Sequence, residues 1–190
     1  MITRISESAL VADAAADLVT TGSRVHAYAC TSGSFIRGVL GERALVQSMV
    51  AAGAPAAVTT SGALTAGLAH LGVTRVAVAT PYDEELTELL GEFLVEAGVR
   101  LVGSAHLGLS NDIWKVPYET TAELIRRADR TEAEAICVSC TNLHTYDLIA
   151  PLEAELGKPV LTANQVTMWA SLRVLGCAAV GPGQRLLAVG

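Results

Sequence analysis

Apolar residues along the chain alternate between two spacings, regularly enough to predict most of the secondary structure. Residues 7–20 carry apolar side chains three and four positions apart, as on one helix face, and residues 25–29 form a short apolar run of strand length. The pairing repeats with a helix over 43–52 closed by Gly53, a strand over 56–60, a helix over 63–71, a strand over 75–80, a helix over 84–97 closed by Gly98, and a strand over 99–108. A helix over 118–127, strand over 135–139, helix over 149–156, strand over 160–163 and helix over 166–175 complete the series. Strands separated by single helices pair in parallel through right-handed crossovers, so the expected class is α/β, with parallel sheets flanked by helices. In open sheets of this kind ligands bind beyond the carboxyl ends of the strands.

Two stretches interrupt the pattern in the same way. "YACTSGSFIRG" (28–38) and "AICVSCTNLHT" (135–145) each close an apolar strand on a cysteine, Cys30 or Cys140. Small polar residues follow at once, Thr31 and Ser32 in the first case, Thr141 and Asn142 in the second. Gly53-Ala54-Pro55 then leads into a strand ending Thr59-Thr60-Ser61, and Gly157-Lys158-Pro159 into one ending Thr162-Ala163-Asn164. The repeated unit predicts two pseudo-symmetric lobes facing each other. Their boundary falls near residues 72–75, with residues 1–73 and 166–190 in lobe 1 and residues 74–165 in lobe 2, the last helix returning to lobe 1.

Composition narrows the class further. The 190 residues are 51% hydrophobic but only 4% aromatic, so Ala, Val, Leu and Gly must fill the core. No apolar run approaches the ~20 residues of a membrane span. The opening "MITRISESALVADAAADL" carries acidic residues at helical spacing, unlike a secretory signal. A cytoplasmic protein with free thiols and no membrane attachment is therefore expected. The net charge of −6, without a Lys/Arg cluster, excludes an electrostatic footprint for nucleic acid. A chain this apolar is expected to form a homo-oligomer, a dimer or higher.

Two thiols at equivalent strand ends of facing lobes would meet across one cleft. A thiolate is both nucleophile and base, and hydroxyls and backbone N–H groups around it form a carboxylate cradle. Such a pair can attack a carbon beside a carboxylate, or move its proton, with no metal and no organic cofactor. Among the other cysteines, Cys177 and Cys137 read as small packing residues, Cys137 because it lies inside a strand. Cys137-x-x-Cys140 with His144 lacks a second ligand pair at zinc spacing. His26, His70 and His106 read as structural, and His144 as a solvated loop residue. The glycine-rich "GALTAG" lacks the lysine and spacing of a phosphate loop.

With both cysteine motifs in hand, the sequence resembles the Asp/Glu racemase superfamily, and within it the branch of maleate cis–trans isomerases and arylmalonate decarboxylases. "YACTSGSFIRG", "TPYDEEL", "CTNLHT" and "GKPVLTANQVTMWASLR" carry the resemblance, which runs from about residue 27 to residue 173. It implies that Cys30 is a nucleophile and Cys140 a proton donor. It implies that Thr31, Ser32 and Tyr82 hold a substrate carboxylate and that Asn111 in "LSNDIW" also binds substrate; Thr141 and Asn142 join the cradle by their own place, directly after Cys140 where the next turn begins. Decarboxylases of the branch have a glycine in place of Cys30, and racemases usually follow the second cysteine with Thr-His rather than Thr141-Asn142. The branch also begins with a further strand carrying a Pro and a substrate-binding Asn. Met1 lies beyond it, so lobe 1 is expected to lack a central strand.

The expected function is cis–trans isomerisation of maleate or a similar small unsaturated dicarboxylate. A racemase is the second expectation, with Asp147 the one nearby carboxylate for a substrate ammonium group. A hydantoin-type racemase or decarboxylase belongs to the same set, and a non-catalytic carboxylate-binding domain is the third.

Overall fold

The computed structural model describes residues 2–188. Helices α1 (Ile2–Ile5) and α2 (Ser8–Val19) lead into β1 (His26–Tyr28), α3 (Thr31–Phe35), α4 (Gly38–Ala51), β2 (Ala57–Thr59) and α5 (Thr60–His70). There follow β3 (Arg75–Thr80), α6 (Glu84–Glu96), β4 (Arg100–His106), a 3-10 turn (Ile113–Lys115), α7 (Tyr118–Ala128) and β5 (Ala135–Val138). The chain closes with α8 (Tyr146–Leu156), β6 (Val160–Thr162), α9 (Ala163–Val174) and α10 (Arg185–Ala188). All strand pairings are parallel, in a sheet β1-β2 and a sheet of order β4-β3-β5-β6. The class is α/β, as the alternation of spacings predicts.

The repeat read from the sequence is matched in register. His26 pairs with Ala57 and Ile136 with Val160. From His26 the chain runs on to Cys30, and from Ile136 it runs the same distance to Cys140. Central strand β3 shows why its sequence is an unbroken apolar run. Val76 and Val78 face a core with Leu68, Leu90, Leu94 and Trp169, whereas Ala77 and Ala79 face a second core with Leu124, Ile125, Ile136 and Val138. A smaller core of Val11, Ala15, Leu45, Met49 and Ala54 joins α2 to α4. Helix α9 packs along α5 and reaches β2 and β1.

Several helices start earlier than the apolar spacing implies. Helix α5 begins at Thr60, because the Thr59 hydroxyl accepts from the Gly62 N–H at 3.0 Å. Helix α9 begins at Ala163, where the Thr162 N–H donates to Gln165 Oε1 at 3.3 Å. Helices α4 and α8 begin at Gly38 and Tyr146, the latter with Pro151 inside it. Caps are polar and first turns small, so these turns carry no apolar period. The short elements α1, α3, the 3-10 turn and α10 are shorter than the window in which periodicity shows. Cys177 is a correction: the thiol expected to pack is exposed. Gly176, at φ +69°, ends α9 and turns the chain outward just before it.

Candidate active site

Lobe 1 delivers Cys30 at the end of β1, in extended conformation, directly before the fully buried turn of α3. The hydroxyl of Ser34 donates to the Thr31 carbonyl at 2.8 Å and lies 2.6 Å from the Ser61 hydroxyl. Ser61 Oγ also donates to the Thr31 carbonyl at 3.2 Å. These contacts fix α3 against α5, and with it the position of Cys30. Ser32 Oγ lies 3.9 Å from Cys30 Sγ. Thr31 is buried, and among the described residues its hydroxyl has no hydrogen-bond partner, so it remains available to one. Gly33 is a glycine because a Cβ there would run into the Tyr28 hydroxyl and crowd Cys30 Sγ. Tyr28 donates to the Ile5 carbonyl at 2.8 Å, and burial together with the adjacent Cys30 holds its hydroxyl far above the ordinary phenol pKa.

Lobe 2 delivers Cys140 differently. Its φ of +88° is unusual for a residue with a side chain, a conformation that costs ~1–3 kcal/mol and is kept where the surroundings enforce it. The backbone N–H groups of Asn142 and Leu143 and the Tyr82 hydroxyl face its sulfur. Burial raises the Cys140 pKa, and those donors offset only part of the rise, so the thiol is protonated at neutral pH. Tyr82 is itself buried, which lifts its hydroxyl well above the ordinary value, and neighbouring Cys140 adds to this. Its position is fixed from three sides. Ser139 Oγ donates to Tyr82 Oη at 3.3 Å, the Gly108 N–H donates to the Tyr82 carbonyl at 2.8 Å, and the Phe35 ring of α3 lies 6.4 Å away.

The two ends meet. Thr141 Oγ1 donates to the Ala29 carbonyl at 3.3 Å, joining the residue after one cysteine to the residue before the other. Asn164 Nδ2 holds the Thr141 carbonyl at 3.0 Å. The two thiols are close enough that charge on Cys30 opposes ionisation of Cys140. Cys30, Ser32, Tyr82, Cys140 and Thr141 thus form one cluster, with Thr31 next to Cys30 in the chain. Asn142 contributes a backbone N–H, while its side chain is exposed. Asn111 stands apart, exposed two residues beyond Leu109, whose N–H is pinned to the Pro81 carbonyl at 2.8 Å.

The remaining candidates have different occupations. His144 Nε2 sits 3.1 Å from the Trp114 carbonyl, tying the 3-10 turn to the loop after Cys140. Asp147, exposed, accepts from the Tyr118 hydroxyl at 3.2 Å. Cys137 is buried within β5, which pushes its pKa up to about 12. Among the described residues no group of three or more His, Cys, Asp or Glu could hold a metal ion. Sequence reasoning missed Tyr28, Ser139 and Asn164. For Tyr28 a signal existed: two residues before Cys30 on a strand, it shares that residue's face.

The family model for arylmalonate decarboxylase matches residues 6–188. Arylmalonate decarboxylase of Bordetella bronchiseptica is 34% identical over 170 residues, covering 87% of this chain and 71% of that protein. Maleate isomerase of Nocardia farcinica is 31% identical over 182 residues, covering 91% and 69%. Among solved structures, a liganded double mutant of arylmalonate decarboxylase superposes with a TM-score of 0.90 at 34% identity, covering 95% of this chain and 79% of that one. A cysteine-to-serine mutant of the Nocardia farcinica maleate cis–trans isomerase, carrying a covalently bound succinylcysteine intermediate, gives 0.85 at 26% identity, covering 93% and 76%. The match runs through both cysteine motifs and both sheets, and the chain belongs to the arylmalonate decarboxylase family, in the Asp/Glu racemase-like branch.

Proposed function

We propose that the protein is a cofactor-independent cis–trans isomerase acting on maleate or a similar small unsaturated dicarboxylate. The observation that supports this reading is the closeness of two thiols in unlike surroundings. Cys140 is held protonated, and Cys30 stands beside neutral donors rather than beside a carboxylate. In the proposed reaction the Cys30 thiolate adds to one alkene carbon, forming the C–S bond as the π bond breaks. The electron pair moves onto the other carbon and its carboxylate. Developing charge of this kind is stabilised by donors already in place, the role assigned to Tyr82, Ser32, Thr31 and the backbone N–H groups near Cys140. Cys140 gives its proton to the carbanionic carbon, leaving a succinyl thioether with a freely rotating single bond. After rotation Cys140 takes a proton back, the C–S bond breaks, and the trans acid leaves with Cys30 a thiolate again.

The family match also supports decarboxylation of an arylmalonate, in which Cys140 alone protonates the carbanion left by departing CO2. That chemistry has no task for Cys30. The discriminating experiment supplies the protein with maleate and, separately, with phenylmalonate, following fumarate and CO2. Fumarate from maleate without CO2 from phenylmalonate is the expected result. CO2 release with maleate untouched would reverse the assignment.

A further inference from the structure

Strands β2 and β6 are each followed by a helix that starts from a threonine, Thr59 for α5 and Thr162 for α9. The corners beside them differ. At β6, helix α10 closes the corner between α8, α9 and α5. Leu186 is fully buried in a core with Leu161 and Val166 and lies against Gly67 of α5. Glu153 of α8 accepts from the Val160 and Arg185 N–H groups, each at 2.8 Å, and Gln165 Nε2 donates to Gln184 Oε1 at 2.9 Å. At β2, the matching corner between α4, α5 and α9 is a cavity of about 640 Å³. Side-chain size follows the same division. Three, four and seven positions after the threonine, α9 carries Gln165, Val166 and Trp169, where α5 carries Gly62, Ala63 and Ala66. Those three small residues line the cavity. Residues 57–59 of β2 line it too, whereas among the described residues none of β1 does, so the cavity is independent of what lies beside β1.

A second observation concerns charge. Glu42, half-buried, marks one end of the cavity and accepts from the Thr59 hydroxyl at 2.5 Å. Arg173 marks the other end. Its Nη1 lies 3.1 Å from His70 Nδ1, so the imidazole accepts there, and its guanidinium lies 5.3 Å from the centre of the Trp169 ring. Among the described residues no carboxylate is within ion-pair range of Arg173. Two rings therefore hold a cation without a counter-charge at the rim of an apolar cavity. Gly62, beside Glu42, and His70, beside Arg173, are eight residues apart on α5, a rise of ~12 Å.

We infer that this cavity binds an amphipathic monocarboxylate, an elongated apolar body with one terminal carboxylate. The carboxylate pairs with Arg173, and the body lies along Ala63, Ala66 and Val58. Glu42 disfavours a second negative charge at the far end. A mostly apolar cavity of this size, with a few polar groups that fix orientation, is the usual form of a small-molecule site. None of Cys30, Ser32, Tyr82, Cys140 and Thr141 lines it, so the inference does not rest on the isomerase reading.

The probe is decanoate, titrated into the full chain by calorimetry. One molecule per chain should bind. Decanol, which lacks the charge, and butyrate, which lacks the body, should each bind at least tenfold more weakly. Decanedioate should also bind at least tenfold more weakly, and Glu42→Gln should narrow that gap. Arg173→Gln should weaken decanoate at least tenfold, with Arg173→Lys, which keeps the charge, losing less. Ala66→Trp, which places the α9 residue in the cavity, should abolish binding; Ala66→Leu is the milder filling variant if the larger one does not fold. No binding at millimolar decanoate, equal binding of decanol, or binding unchanged by both Arg173→Gln and a folded filling variant overturns the inference. Displacement of decanoate by maleate would place it at the cysteines and overturns the inference as well.

Discussion

Strands β1 and β5 hold the same place in their lobes and each is followed two residues on by a cysteine, but their surroundings differ. Residues of β5 are at most 3% exposed, with β3 on one side and β6 on the other. Among the described residues strand β1 pairs with β2 alone, and Ala27 is exposed. The difference carries through to the thiols. Cys140 emerges from a fully packed sheet at positive φ, beneath Tyr82, and is kept in its acid form. Cys30 emerges from a narrow sheet in relaxed extended geometry, with Tyr28 and Ser32 beside it. On the proposed reading a duplicated unit supplies an acid and a nucleophile from identical side chains, with burial holding Cys140 in its protonated form.

The comparison breaks most visibly in turnover. Cys30→Ser should abolish isomerisation, since a serine hydroxyl is essentially un-ionised at neutral pH. Cys140→Ser should lower the rate by ~10²–10⁴-fold, the usual worth of a positioned acid–base group. Equal losses in a steady-state fumarate assay would show that the thiols are not specialised.

Stability should divide the lobes next. Ile136→Ala, in the closed core, should cost about 2–5 kcal/mol in denaturant unfolding. His26→Leu, at the matching register position, should be neutral or stabilising by up to ~1 kcal/mol, because it removes a buried ring without partners. A large loss there would mean that the imidazole is paired in solution.

Alkaline pH gives the third contrast. Burial lifts the Cys137 thiol from 9.0 to about 12, so the folded state holds a proton that the unfolded chain releases. That contribution to stability is intact below pH 9 and declines as pH rises toward 12, at about 1.4 kcal/mol per unit. Cys140 adds a decline of the same sign. Cys137→Ala should flatten the profile measurably; an unchanged slope would contradict the assignment. The smallest effect belongs to the link between lobes. Thr141→Val removes the 3.3 Å hydrogen bond to Ala29 and should cost about 1 kcal/mol, seen as a small shift in thermal midpoint.

Strand β3 spans the six residues that its apolar run marks, and the Cys-Thr repeat points to two facing lobes on residue types alone. Helix starts are not legible in the same way, because caps such as Thr59 and Thr162 work through single hydrogen bonds rather than periodicity. The positive φ of Cys140 is hidden too, since turns of that kind usually announce themselves by glycine. Tyr28 lies inside the first cysteine motif, yet the motif alone assigns it no task. Its closeness to Cys30 depends on Gly33 lacking a side chain, a packing fact that no linear pattern displays.

The central claim, one nucleophilic thiol and one acidic thiol, is tested most directly by intact and peptide mass spectrometry of Cys140→Ser after incubation with maleate. Cys30 can then still attack while proton transfer is slowed. A maleate-sized mass increase should accumulate on the Cys30 peptide and be absent from Cys30→Ser. An adduct mapping to Cys137 or Cys177 in its place, or full turnover by Cys30→Ser, would contradict the account.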